Sequence, residues 1–234
     1  LVQRINHKVF LQPEKIISNV CRITEHIRNR MIANGEHDIK RRVLKMYHTP
    51  EGEYIYRSDD GNYWRVISYI TNSCTFNSRP TLKVMRNAGK AFGEFQNHLA
   101  QFDASKLVET IKNFHNTPDR YRIFKEVLAK EPLGRAKEVE EEIAFALAHE
   151  QVGGTLYRML QAGELPLRVT HNDTKLNNVM LDKATRKALC VIDLDTVMPG
   201  SYLYDFGVAI RSGATHAAED EQNLDIVDFD GGNA

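Results

Sequence analysis

VTHNDTKLNNVML (residues 169–181), followed by VIDLD (residues 191–195), is the stretch on which the reading of this chain turns. A short apolar strand ends at residues 169–170, a polar loop runs over 171–178, and a second apolar strand leaves at 179–181. The polar segment DKATRK (182–187) turns the chain back into a third strand over 188–192. A strand–loop–strand–hairpin frame holds the polar side chains of its loop in fixed places. A hairpin of this size also brings Asp193 alongside Asn178.

Those side chains match what phosphoryl transfer demands. A carboxylate must orient an acceptor hydroxyl and take its proton, and hard oxygen ligands must hold a divalent metal against the phosphates. Cations must neutralise the charge that builds up. Asp173 fits the base. Asn178, at the start of the returning strand, offers an amide oxygen to a metal, and Asp193 offers a carboxylate. Lys175, just past the base, supplies positive charge. Each of Asp173, Asn178 and Asp193 alone reads as a turn former; their spacing on one frame is what points to a site.

HNDTKLNN (171–178) resembles the H-R-D-x-x-x-x-N catalytic loop of protein kinases. It is still more similar to the H-G-D-x-x-x-x-N loop of the aminoglycoside phosphotransferase and choline kinase superfamily, and VIDLD is similar to that superfamily's metal-binding I-D-x-x element. The resemblance implies an α+β, protein-kinase-like two-lobed fold. A truncated β-rich N-lobe, its first strands missing, is expected over residues 1–72. A mainly helical C-lobe with the catalytic β-hairpin is expected over 73–234, its C-terminal part missing. ATP and Mg²⁺ are the implied cofactors, with Asp173 as catalytic base and Asn178 and Asp193 as metal ligands. Lys175 matches the lysine that follows the catalytic Asp in many protein kinases and contacts the transferred phosphate.

Four segments narrow the resemblance: LVQRINHKVF (1–10), NFHNTPDRY (113–121), THNDTKLNNV (170–179) and VIDLDTVMPGSYLYDFG (191–207). Together they look like bacterial N-acetylhexosamine 1-kinases and their relatives. That implies transfer of the γ-phosphate to a sugar hydroxyl, the anomeric position of an N-acetylhexosamine. Choline, amino-alcohol and aminoglycoside kinases are the alternatives, as is a kinase-fold nucleotide-binding protein that has lost catalysis. By the same resemblance, Arg4 or Gln3 stands in the place of the nucleotide-contacting lysine, with Arg4 taken as the contact. Tyr69 and Ile70 then fall in the hinge that reads the nucleotide base.

The chain departs from the pattern at Asn172, where Gly or Arg is usual, which makes Asn172 a candidate substrate contact. No glycine-rich phosphate loop is present: Gly89-Lys90 fails as a Walker motif because position 84 is Val. In this fold the glycine hairpin precedes the strand with which the sequence opens, so the chain is expected to be a piece of a longer protein and to lack activity alone. Asp205-Phe206-Gly207 spells the protein-kinase metal motif, but no β-run delivers it; Asp205 is read as an acid at a helix start that braces the loop. His115, Arg120 and Arg211 are further candidates for the acceptor, against plainer readings as cap and surface residues.

Outward from the motif, residues 1–5 read as a strand and Pro13 opens a helix closed by Asn34-Gly35. Runs 42–48, 53–57 and 63–70 read as strands, with Trp64 in the core. Helices are expected around 88–99, 107–114, 120–129, 138–162 and 205–212. The formal charge is zero, with 31 basic and 31 acidic residues, so neither nucleic acid nor an anionic membrane is indicated as partner. No protein partner is implied; the expected partners are a nucleotide and a small-molecule sugar acceptor. Three scattered cysteines without C-x-x-C spacing fit a reducing cytoplasm.

Overall fold

The computed structural model describes residues 1–77, 81–215, 217 and 221–228; Pro80 and the closing GGNA (231–234) lie outside them. The chain forms two compact units, Leu1–Thr110 with Arg168–Ala234, and Ile111–Leu167. The lobe boundary expected after residue 72 runs inside the first unit. No helix among the described residues is long and apolar enough to cross a membrane.

In the first unit, β1 (Val2–Ile5), β2 (Met46–Tyr47) and β3 (Tyr56–Arg57) each pair antiparallel with β4 (Tyr63–Ile67). Between β1 and β2 the chain makes α1 (Pro13–Ala33) and the single turn α2 (Ile39–Arg42). Pro13 sits in the first turn of α1, where a missing N–H is no loss. Gly35, at φ 66°, turns the chain out of it, as Asn34-Gly35 announces. Ile16, Val20, Ile23 and Ile27 make a buried stripe at helical spacing. This stripe joins one core with Ala88, Phe92 and Phe95 of α3 (Leu82–Leu99), whose N-terminus Thr81 caps through the Val84 N–H.

Onto α3 packs the hairpin of β7 (Val179–Asp182) and β8 (Ala188–Val191), with the two-residue β5 (Ser73–Cys74) beside β7. Asp182 ties the turn, its Oδ1 accepting from the Ala184 and Thr185 N–H groups, while Arg41 reaches its Oδ2 at 2.9 Å. Cys190 lies in the core, where burial pushes its thiol up to about 12. A second pair, β6 (Arg168–Thr170) with β9 (Met198–Gly200), brackets the motif, and α8 (Tyr202–Gly213) follows, capped by Ser201.

Three expectations are corrected here. Of the run 42–48 only Met46–Tyr47 is strand, because Arg41 and Arg42 end α2 with their guanidinium groups drawn to Asp182 and Glu36. No helix covers 107–114: Leu107 is extended, and the buried side chain of Asn19 takes both backbone groups of Val108. Trp64 is half-buried, its indole N–H on Ser58; the buried residue of β4 is its neighbour Arg65, 5% exposed.

The second unit holds α4 (Thr117–Lys130), α5 (Glu140–Ala148), α6 (Glu150–Gly153) and α7 (Thr155–Gln161). The single helix expected over 138–162 is therefore broken. The α5–α6 break falls at His149 and the α6–α7 break at Gly154; beside the latter, a Cβ on Gly153 would sit 3.1 Å from the Tyr121 ring, so the bare backbone permits the close approach to α4.

Candidate active site

The loop between β6 and β7 is held from below by Asp205 of α8. Its two carboxylate oxygens accept the His171 N–H at 2.9 Å and the Asn172 N–H at 2.7 Å, and its backbone oxygen accepts the Thr174 hydroxyl. The helix-start reading of Asp205-Phe206-Gly207 stands. Burial raises the Asp205 carboxyl above its ordinary value, against which these two N–H groups act.

His171 is fully buried, edge-on to Phe92 and Phe95. Its Nδ1 accepts the Asp173 N–H at 3.3 Å, which assigns the ring hydrogen to Nε2, 2.9 Å from the Ile192 carbonyl oxygen. One imidazole thus ties the loop to the segment that carries Asp193. Asn172 is buried with φ 68°, and its Nδ2 donates to the Thr196 carbonyl oxygen at 2.7 Å. Its amide nitrogen ties the two segments together, while its Oδ1 is buried without a hydrogen-bond partner among the described residues.

Asp173 is half-buried. Its Oδ2 accepts from Asn178 Nδ2 at 2.9 Å and its Oδ1 lies 3.1 Å from Lys175 Nζ. The same Asn178 Nδ2 also bonds the Asp173 carbonyl oxygen at 2.8 Å. With its nitrogen committed, the Asn178 amide has its oxygen to offer elsewhere. Asp193, at φ 58° and ψ 58°, is left-handed and opens onto a cleft that Asn178 also lines. Its own surface is solvent-accessible, yet the surrounding cleft walls desolvate it and raise its carboxyl above the ordinary value. Asp195 and Asp173 push the same way.

The cleft measures about 320 Å³, and Gln3, Arg65, Tyr69, Ile70, Asn178, Asp193 and Asp195 are among its walls. Tyr69 and Ile70 thus share it with both expected metal ligands. Arg4 does not: it is exposed on the opposite face of β1, and Gln3 points inward, which corrects the choice between them. Arg211 is exposed in the last turn of α8. His115 and Arg120 belong to the second unit, where Arg120 spends its guanidinium on the Phe114 carbonyl oxygen and Asn116 caps α4. Arg211 is not among the walls of this cleft, and Arg120 is engaged within its own loop.

Arg65 and Asp195 were not singled out. They form a buried bidentate pair, Nη1 on Oδ1 and Nη2 on Oδ2. A period-2 count along residues 63–67 sets Arg65 between Tyr63 and Ile67, but Trp64 and Val66 make the other face just as apolar, so alternation did not mark it.

Among the described residues no three His, Cys, Asp or Glu side chains converge as metal ligands. One amide oxygen and one carboxylate is still a donor set that suits Mg²⁺, which keeps waters and substrate phosphates in the rest of its octahedron.

Comparison with known proteins bears on this geometry. The model of the phosphotransferase enzyme family APH matches residues 28–234. The chain belongs to that family. Among solved structures it is similar to a microcompartment-associated aminopropanol kinase, at 18% identity and a TM-score of 0.52, over 89% of this chain and 61% of that one. It is also similar to the GDP complex of aminoglycoside 2'-phosphotransferase-IIIa, at 15% identity and a TM-score of 0.49, over 69% and 54%. A third is the amicoumacin kinase hAmiN, at 11% identity and a TM-score of 0.49, over 82% and 53%. The chain spans between about half and three-fifths of these structures. The family match and the first superposition establish the α+β, kinase-like fold.

Proposed function

We propose that this APH-family chain is the catalytic part of an ATP-dependent small-molecule kinase, with an N-lobe over residues 1–72 and a C-lobe over 73–234. The observation that carries the reading is the Asn178 amide. Its nitrogen holds the Asp173 carboxylate, while its residue shares the cleft with Asp193. Base and metal ligands are thereby set side by side.

Asp173 orients the acceptor hydroxyl and takes its proton as the oxygen attacks the γ-phosphorus in line. Lys175, already against Oδ1, stands ready to meet the phosphoryl charge. Asn178 and Asp193 would hold Mg²⁺, which supplies charge neutralisation at the phosphates. Tyr69 and Ile70 line the end of the cleft that the base of the nucleotide would occupy. A sugar hydroxyl is the proposed acceptor, and the anomeric hydroxyl of an N-acetylhexosamine the specific one. Support for it comes from the four sequence segments, 1–10, 113–121, 170–179 and 191–207.

Release of ADP from the full-length protein, screened against N-acetylhexosamines, choline and amino alcohols, tests the acceptor. Signal with choline and none with N-acetylhexosamines discards the sugar. Asp173→Asn is expected to lower kcat by about 10²- to 10⁴-fold with nucleotide affinity nearly unchanged. Near-normal turnover in that variant removes Asp173 as the base.

A further inference from the structure

The cleft that holds Asn178 and Asp193 is lined by two acidic side chains, Asp193 and Asp195, and by one cationic side chain among the described residues, Arg65. A nucleotide triphosphate brings several negative charges, and a cleft without a cation repels it. In the kinase pattern a lysine on the strand equivalent to β1 meets that need, but the inward residue of β1 here is the uncharged Gln3.

Arg65 sits across the ladder from Gln3, since the two are register partners in β4 and β1. Gln3 Oε1 accepts from Arg65 Nε at 3.0 Å and from Nη2 at 2.8 Å, and the Asp195 carboxylate takes one hydrogen from each of Nη1 and Nη2. Of the five N–H donors that a guanidinium carries, these contacts use four. Among the described residues the second Nη1 hydrogen has no acceptor. A buried ion pair is a poor device for stability alone, because apolar residues of similar size serve the core as well or better. Its position on the wall of a cleft gives it a use.

We propose that Arg65 is a phosphate-binding residue of the nucleotide site, seated in the cleft by Asp195 and Gln3 in place of a lysine on β1. The proposal rests on the kinase reading and goes further than it. Migration of the charge from β1 to β4 keeps a cation over the Asp193 segment. The remaining N–H of Arg65 can meet a single phosphate oxygen, while Asp195 and Gln3 hold the rest of the guanidinium fixed.

Calorimetric titration of the full-length protein and its variants with ATP and Mg²⁺, and separately with adenosine, tests it. Arg65→Met is expected to weaken ATP binding by about tenfold to a hundredfold while adenosine affinity changes by less than about twofold. Arg65→Lys recovers part of the loss. Because Arg65→Met alone strands a buried carboxylate, the double variant Arg65→Met with Asp195→Asn removes both charges. It is expected to regain thermal stability but to remain as weak for ATP. ATP affinity restored in the double variant, or adenosine affinity lost in step with ATP, makes Arg65 purely structural and overturns the proposal with the kinase reading intact. A wild-type protein that binds neither compound overturns the kinase reading itself.

Discussion

Asp193 couples a left-handed backbone to the proposed metal site. Its left-handed backbone is one that Asp tolerates better than most residues, and it turns the carboxylate into the cleft at the end of β8. Desolvation by the cleft walls, with Asp195 and Asp173 close by, holds its carboxyl above the ordinary value. A raised value means that Asp193 keeps its proton at a pH where a free Asp has lost it, and a divalent cation held there, as proposed, would compete with that proton. Mg²⁺ affinity is therefore expected to fall on acidification earlier than an ordinary carboxylate predicts. Titration of Mg²⁺ at a series of pH values checks this, and Asp193→Asn should flatten the dependence as well as weaken binding. Asp173, Asn178 and Asp193 were legible as a group because each bears a polar function at a strand end. Arg65 was not, because both faces of residues 63–67 are apolar, and Gln3 was offered only beside Arg4, since the sequence does not decide which of the two is inward.

At the scale of elements, the β6–β9 pair sets the height of the loop that carries Asp173. Gly200 lies opposite Arg168, and a Cβ on it would fall 2.7 Å from Thr170 Oγ1, whose hydroxyl is already committed to the Met198 carbonyl oxygen. Gly200→Ala is expected to cost about 1–3 kcal/mol in urea unfolding and to lower turnover more than nucleotide affinity, since the loop that moves carries Asp173. The β7–β8 hairpin was readable from its apolar runs and its turn, and α1 and α3 from their spacing. β9 was missed because Met198-Pro199-Gly200 has no strand signature, and its pairing with β6 comes from tertiary register alone. The helix expected at 107–114 failed for a related reason: its apolar positions have helical period, but a distant side chain supplies the hydrogen bonds that a helix would have made.

That side chain, Asn19, matters at the scale of the whole first unit. It is 1% exposed on α1 and donates to the carbonyl oxygens of Val108 and Val197 at 2.8 and 2.9 Å. It also accepts the Val108 N–H. Three chain segments far apart in sequence thus meet at one amide, one of them just past the Asp193 turn. Asn19→Ala removes the partner of three backbone groups, the Val197 carbonyl in the buried core and both groups of the part-exposed Val108. It is expected to destabilise by about 3–5 kcal/mol, more than an exposed helix substitution of the same kind; the urea midpoint measures it. An Asn on the apolar face of a predicted helix is a sequence signal of such a junction, but its partners are invisible until the fold is known. The kinase-like architecture as a whole was legible from the motif, whereas the helix break at Gly154, beside the close approach to a neighbouring ring, was not.

The thiol of Cys190 gives the hairpin a clock. Sealed in the core with its deprotonation pushed up to about 12, it resists alkylation for as long as β8 stays in place. In a variant with Cys21 and Cys74 replaced by serine, the rate at which a maleimide captures Cys190 reports how often the strand leading to Asp193 lifts away. Nucleotide with Mg²⁺ should slow that capture, and an unchanged rate would mean that occupancy of the cleft does not steady the strand beneath it.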